Sequence, residues 1–229
     1  MQTSLGKQCV AEFIGTFALI FVGVGAIYHN AGLLAIALAH GLTIAVMVSA
    51  TGGISGGQLN PAVTFGLLVG GQMDVRRSIA YWIAQLAGAT VAAFLLLFLF
   101  TGQVDPNNQP LPAATIVANG TPTLAPKGIT FLQAVIIEAV LTFFLVFVVY
   151  GSAVDGRAPK IGGLAIGLTV ALDILFGGPF TGAAMNPARV FGPALASGHW
   201  GGHLIYWIGP LLGGGLAGLI YGRFLIKQP

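Results

Sequence analysis

Two tripeptides, Asn60-Pro61-Ala62 and Asn186-Pro187-Ala188, stand out in a chain that is otherwise poor in chemistry-bearing groups. Asn is among the best helix N-caps, because its side-chain oxygen accepts from a backbone N–H that has no partner inside the helix. Pro is tolerated at the first helical position, where its missing N–H would have been unpaired anyway. The small Ala lets two such helix ends meet closely. With its oxygen used by the cap, each Asn keeps an NH₂ to donate, and both helix dipoles point their positive ends at the same place. A water held there accepts hydrogen bonds from Asn60 and Asn186 and turns its protons towards its neighbours. The converging positive potential opposes cations and excess protons and lets neutral molecules pass.

Other candidate groups are few. Arg189 lies one helical turn after Asn186. An Arg within a membrane costs about 3 kcal/mol or more, so it reads as functional rather than as a snorkelling surface residue. Asp173 sits in an apolar run and reads as paired with a polar group or a backbone N–H; a role in shaping the pore or its pH response is the alternative. His199 and His203 are four apart, but two ligands without a third make a poor metal site, and they read as a solvated pair. The single Cys9 excludes an intramolecular disulfide and reads as a reduced structural thiol. No metal site or cofactor is expected. No nucleophile–base arrangement or phosphate-binding loop is visible, so an enzyme is not expected either.

The elements that must position these groups are membrane spans. Of 229 residues, 56% are hydrophobic and only 7% charged, with mean hydropathy +0.91. Soluble domains carry about 25% charged residues, so most of this exterior must face a lipid bilayer. The net charge of +3 comes from scattered Lys and Arg and does not indicate nucleic acid. Apolar runs of spanning length lie near 9–28, 33–52, 79–100, 129–151, 161–177 and 203–225. The first is too long for a signal-peptide core and reads as a span. The connection 101–128, rich in Pro, Asn and Thr, reads as a long exposed loop. Residues 53–71 and 178–197 each hold a short helical run after Asn-Pro, too short to cross. They read as re-entrant half-helices, tolerated where protein or a water-filled cavity surrounds them.

The chain repeats itself. At the offset that relates the two Asn-Pro-Ala motifs, Glu12 recurs as Glu138, Thr16-Phe17 as Thr142-Phe143, and Gly41-Leu42-Thr43 as Gly167-Leu168-Thr169. Tyr81-Trp82 pairs with Tyr206-Trp207 one residue out of that register. Three spans per half is an odd number, so the halves, about 1–100 and 129–229 joined by 101–128, insert with opposite orientation. That is the inverted repeat of transport proteins, with the functional site at the midplane. Placing both termini in the cytoplasm puts Lys7, Arg76, Arg77, Arg157, Lys160, Arg223 and Lys227 inside and only Lys127 and Arg189 outside. A Gly214, Gly218 and Gly222 ladder in span six has the spacing of tight helix packing, within the monomer or against a neighbour. Short termini and compact loops point to a plasma (inner) membrane.

Ser55-Gly56-Gly57-Gln58-Leu59-Asn60-Pro61-Ala62-Val63-Thr64, Gly182-Ala183-Ala184-Met185-Asn186-Pro187-Ala188-Arg189 and Ala11-Glu12-Phe13 resemble the signatures of the aquaporin (major intrinsic protein) superfamily. The likeness covers essentially the whole chain. It implies an all-α hourglass of six transmembrane helices and two re-entrant half-helices, a homotetramer, and carboxylates at Glu12 and Glu138 that support the loops. It also implies an outer constriction, which maps onto His40, Ile174, Ala183 and Arg189. Strictly water-selective members usually have Phe and His where this chain has His40 and Ile174. The set here is similar to that of tonoplast intrinsic proteins, as are Gly178-Pro179-Phe180-Thr181-Gly182 and Phe191-Gly192-Pro193-Ala194-Leu195. The ring is less polar, which implies passage of water together with ammonia, urea or hydrogen peroxide; for His40 a buried histidine facing another helix is the plainer reading. A glycerol facilitator is the alternative, although Val190 and Ala194 replace the acidic and basic residues such channels usually carry. A secondary transporter is the less favoured alternative.

Overall fold

The computed structural model describes residues 3–28, 31–104, 109, 112–122, 128–159 and 161–226; Lys127, Lys160 and Lys227 lie outside them. Six helices are long and apolar enough to cross a bilayer. They are α1 (Leu5–Tyr28), α2 (Gly32–Ser55), α4 (Val75–Leu99), α6 (Phe131–Val149, prolonged by a π-helical turn Tyr150–Val154), α7 (Gly162–Thr181) and α9 (Ile205–Ala217, prolonged by Gly218–Leu225). Two short helices, α3 (Pro61–Val69) and α8 (Pro187–Ser197), begin at the Asn-Pro pairs, and α5 (Ala113–Asn119) lies between α4 and α6. Their outward residues are apolar, with Val46, Leu172 and Leu212 all well exposed. A surface of this kind is stable only against lipid.

The boundaries have local causes. α2 and α7 end at Gly56 and Gly182, whose φ values of +95° and +78° are left-handed and stop the helix. Each terminal glycine donates its N–H to the carbonyl one turn back, Gly52 and Gly178 respectively. After a short extended segment, α3 and α8 start with Asn60 and Asn186 as N-caps and Pro at the first helical position. The extended segments are strained: Leu59, Ala183 and Met185 have positive φ without being glycine.

Close approach organises the rest. A Cβ on Gly41 would lie 2.5 Å from the Gly167 carbonyl oxygen, and one on Gly167 would lie 2.3 Å from that of Gly41. Gly41 and Gly167 thus bring α2 and α7 together at backbone distance. The span-six ladder is resolved as packing within the monomer. Cβ atoms at Gly214 and Gly218 would lie 2.6 Å and 2.1 Å from the carbonyls of Ala62 and Gly66 in α3. The half-helix therefore rests directly on the backbone of α9.

The expectation of an exposed 101–128 loop is corrected for its middle part. α5 buries Ile116 and Val117, and Thr121 just after it is also buried. The composition of the segment concealed an amphipathic turn that packs on α1, α4 and α8. At the end bearing the termini, Arg157 pairs with Asp155 and also donates to the Leu225 carbonyl. The guanidinium holds the Asp155 carboxyl well below the usual carboxylate range, so this tie survives mild acid.

Gly218→Val tests the backbone contact. Overpacking of cores costs about 1–3 kcal/mol, and here the obstructing atom is a carbonyl that cannot rotate away. The variant is expected to show a markedly lower thermal midpoint in detergent, whereas Gly6→Ala, which faces open space, leaves it unchanged.

Candidate functional site

Two buried carboxylates hold the two strained loops. Glu12 accepts from Ser55 Oγ at 2.6 Å and the Gln58 N–H at 2.9 Å on one oxygen. Its other oxygen accepts from the Leu59 N–H at 2.6 Å and Gln85 Nε2 at 2.8 Å. Glu138 repeats the pattern: Thr181 Oγ1 at 2.7 Å, the Ala184 N–H at 2.9 Å and the Met185 N–H at 2.7 Å. Both side chains are fully buried. Hydrogen bonds to a charged acceptor are about twice as strong as neutral ones, and they offset the desolvation of each carboxylate. Leu59 and Met185, two of the strained residues, are among the donors.

Sequence reasoning missed the next ring of supports. Tyr81 Oη donates to the Ser55 carbonyl and Tyr206 Oη to the Thr181 carbonyl, both at 2.8 Å. The Tyr-Trp repeat was visible, but nothing in it announced that each hydroxyl would cap the end of a spanning helix. Trp82 Nε1 donates to the Pro61 carbonyl at 3.0 Å, and Trp82 meets Trp207 edge to face.

The two Asn residues join the halves. Each accepts from the Ala N–H two residues on, Asn60 from Ala62 at 2.8 Å and Asn186 from Ala188 at 3.0 Å. The expectation that the whole NH₂ group stays available is corrected. Asn60 Nδ2 donates to the Met185 carbonyl at 2.8 Å, and Asn186 Nδ2 to the Leu59 carbonyl at 3.0 Å. An amide nitrogen carries two hydrogens, so one N–H remains on each. Both Asn residues line a narrow cavity of about 30 Å³ that runs past them between the spans.

That cavity is bordered by residues four apart on each span: Ile44 and His40 on α2, Val170 and Ile174 on α7. This is the spacing of one helix face. A second, outer cavity of about 200 Å³ is lined by Ile36, Gly178, Gly182 and the Asn119–Pro122 segment. Ile174 and Arg189 border both cavities, which makes them the neck between the two. His40 and Ala183 line the inner side of that neck. The structure thus brings together all four residues of the expected constriction.

The polar side of the neck is organised for donation. His40 Nδ1 lies 2.8 Å from the Ile36 carbonyl, which only accepts, so Nδ1 carries a hydrogen. Arg189 makes one long bond, from Nη2 to the Gly182 carbonyl at 3.5 Å. Its Nε and Nη1 are buried without a hydrogen-bond partner among the described residues. Ile174 and Ala183 line the same cavity with apolar side chains.

Two minor expectations are corrected. Asp173 is buried, but its Oδ2 has no partner among the described residues, so the anticipated pairing is absent. His203 is not half of a solvated pair. Its Nε2 accepts from Trp207 Nε1 at 3.0 Å and its ring packs on Trp200, so burial pushes its pKa down, while His199 stays exposed. Among the described residues no cluster of three or more metal-ligating side chains occurs. Cys9 is a free thiol close to the Ala80 carbonyl.

Comparison with known proteins agrees with this geometry. The profile of the major intrinsic protein family matches residues 1–221. Aquaporin TIP2-3 of Zea mays is 46% identical, over 97% of this chain and 89% of that protein. Aquaporin TIP4-1 of Arabidopsis thaliana is 47% identical over 97% and 88%. The crystal structure of the aquaglyceroporin from Plasmodium falciparum superposes with a TM-score of 0.83 at 26% identity, covering 97% of both chains. With its six spans, two half-helices meeting at paired Asn residues and a conduit between them, the chain is a multi-pass membrane protein of the major intrinsic protein family, an aquaporin channel.

Proposed function

We propose that this aquaporin conducts water together with small neutral solutes such as ammonia, urea or hydrogen peroxide, and excludes ions and protons. The observation that carries the reading is the neck between two cavities, lined by His40, Arg189, Ile174 and Ala183. A solute crossing it meets donors from His40 and Arg189 and apolar side chains from Ile174 and Ala183. It must therefore be neutral, small and able to accept hydrogen bonds, and little penalises an imperfect donor pattern. Beyond the neck, the remaining N–H of Asn60 and of Asn186 orients the water file. The N-termini of α3 and α8 converge there, and their positive ends oppose cations and excess protons.

Residue roles follow from this reading. Asn60, Pro61, Ala62, Asn186, Pro187 and Ala188 form the central junction; His40, Ile174, Ala183 and Arg189 form the filter; Glu12 and Glu138 brace the loops. The two halves, about 1–100 and 129–229, act as inverted repeats, and the assembly is a homotetramer with both termini in the cytoplasm. The relatives are plant TIP aquaporins, so the expectation of a plasma membrane has no support from them and is not carried forward. The likeness to an aquaglyceroporin does not raise the glycerol alternative, because Val190 and Ala194 still stand where glycerol channels usually carry charges.

Stopped-flow shrinkage of proteoliposomes tests the channel: water permeability should clearly exceed that of lipid alone, and a value equal to lipid sinks the reading. His40→Phe combined with Ile174→His should lower ammonia and urea flux more than water flux; equal loss for all three would remove these residues from the filter. Glu138→Gln replaces an acceptor oxygen by an NH₂ that faces the donors of the second loop. With hydrogen bonds to charged groups contributing about 1.5–3 kcal/mol each, we expect a large fall in the thermal midpoint and loss of water permeability.

A further inference from the structure

We infer that Gly23 in α1 sets the width of the neck by providing the recess that receives the His40 ring. The inference rests on the filter reading above and adds a positioning residue that lies outside every motif of the chain.

Three observations converge on Gly23. A Cβ built there would lie 2.4 Å from His40 Nε2 and 2.8 Å from both Cδ2 and Cε1. The imidazole tip therefore points straight at the bare Cα of Gly23, at a distance that only glycine permits. Secondly, the ring cannot slide along α2 to escape, because Nδ1 is tied to the Ile36 carbonyl at 2.8 Å. Thirdly, Gly23 occupies the conduit face of α1. Leu19, one turn before it, lines the inner cavity, and Ile27, one turn after it, lines the outer one. Residues four apart share a helix face, so Gly23 stands level with the neck that separates the two.

The helix itself gives no reason for a glycine here. Gly inside a helix costs about 0.5–1 kcal/mol relative to Ala, and the three nearest atoms that a Cβ at Gly23 would meet are all side-chain atoms of His40 rather than backbone. Any side chain at this position drives the imidazole off α1, and the open side is the cavity that His40 already borders. The width available beside Arg189 is therefore fixed by two residues, one that fills and one that makes room.

The test uses the purified full chain in proteoliposomes, with water and urea permeabilities measured for wild type, Gly23→Ala, His40→Ala and the double variant. Gly23→Ala is expected to lower the urea-to-water permeability ratio severalfold, because the wider solute is hindered first. In the His40→Ala background the same change should leave the ratio nearly unaltered, since the group it displaces is gone; contacting residues show this kind of non-additivity. Gly25→Ala, where an added Cβ meets nothing within 4 Å, is the control and should leave the ratio at the wild-type value. An unchanged ratio in Gly23→Ala overturns the inference, as does a change of equal size with and without the His40 ring. Should Gly23→Ala fold only when His40 is truncated too, the same contact is demonstrated; failure of both to fold overturns it. A wild-type protein that conducts water but whose ratio is untouched by His40→Ala sinks the filter reading instead.

Discussion

The architecture depends on a pair of fully buried carboxylates accepting hydrogen bonds from irregular backbone. In a bilayer, N–H groups that have left helical geometry need partners within the protein or in a water-filled cavity, and each one left unpaired costs several kcal/mol. Breaking two helices at mid-membrane creates such groups in the segments before Asn60 and Asn186. Glu12 and Glu138 satisfy them with seven hydrogen bonds between them, some from side chains and some from backbone. The carboxylates and the loops are mutually required. An ionised group at that depth is tolerable only because donors surround it, and left-handed Leu59 and Met185 persist only because their N–H groups are held.

The second constraint is steric. Half-helices that carry the cap residues must lie against full spans at backbone distance, which is why glycines of α9 sit on carbonyls of α3 and why Gly41 and Gly167 touch. Polar interactions fix the direction of the Asn-Pro ends, and small residues fix their depth. The conduit is what remains between α1, α2, α6 and α7 once both are satisfied. The spans' wall repeats every four residues because each contributing helix shows one face, and polar groups enter it at Gln58, Asn60 and Asn186 and at His40 and Arg189.

Much of this was legible in the sequence, because the bilayer allows few solutions. Spans of about 20 apolar residues admit little besides helices, and Asn-Pro within an apolar chain signals a helix start. Asn60, Asn186 and Arg189, which those rules single out, line one cavity in the structure. What stayed hidden depends on partners far apart in sequence. The role of Ser55 and Thr181 beside the carboxylates and the capping by Tyr81 and Tyr206 leave no local pattern. The buried turn at Ile116 and Val117 was masked by the Pro- and Asn-rich composition around it. Asp173, whose Oδ2 has no partner among the described residues, ran against a sound general rule, that buried carboxyls find partners.

The crossed bonds at the centre, Asn60 to Met185 and Asn186 to Leu59, also constrain how the protein is made. Domains emerge from the ribosome N-terminal part first. When α1 to α4 have entered the membrane, the amide of Asn60 and the carbonyl of Leu59 have no counterparts, because those belong to a segment not yet synthesised. The first half is thus an unfinished surface that only the second half completes. Docking of the two Asn residues has to await the second half, and the conduit is incomplete until then.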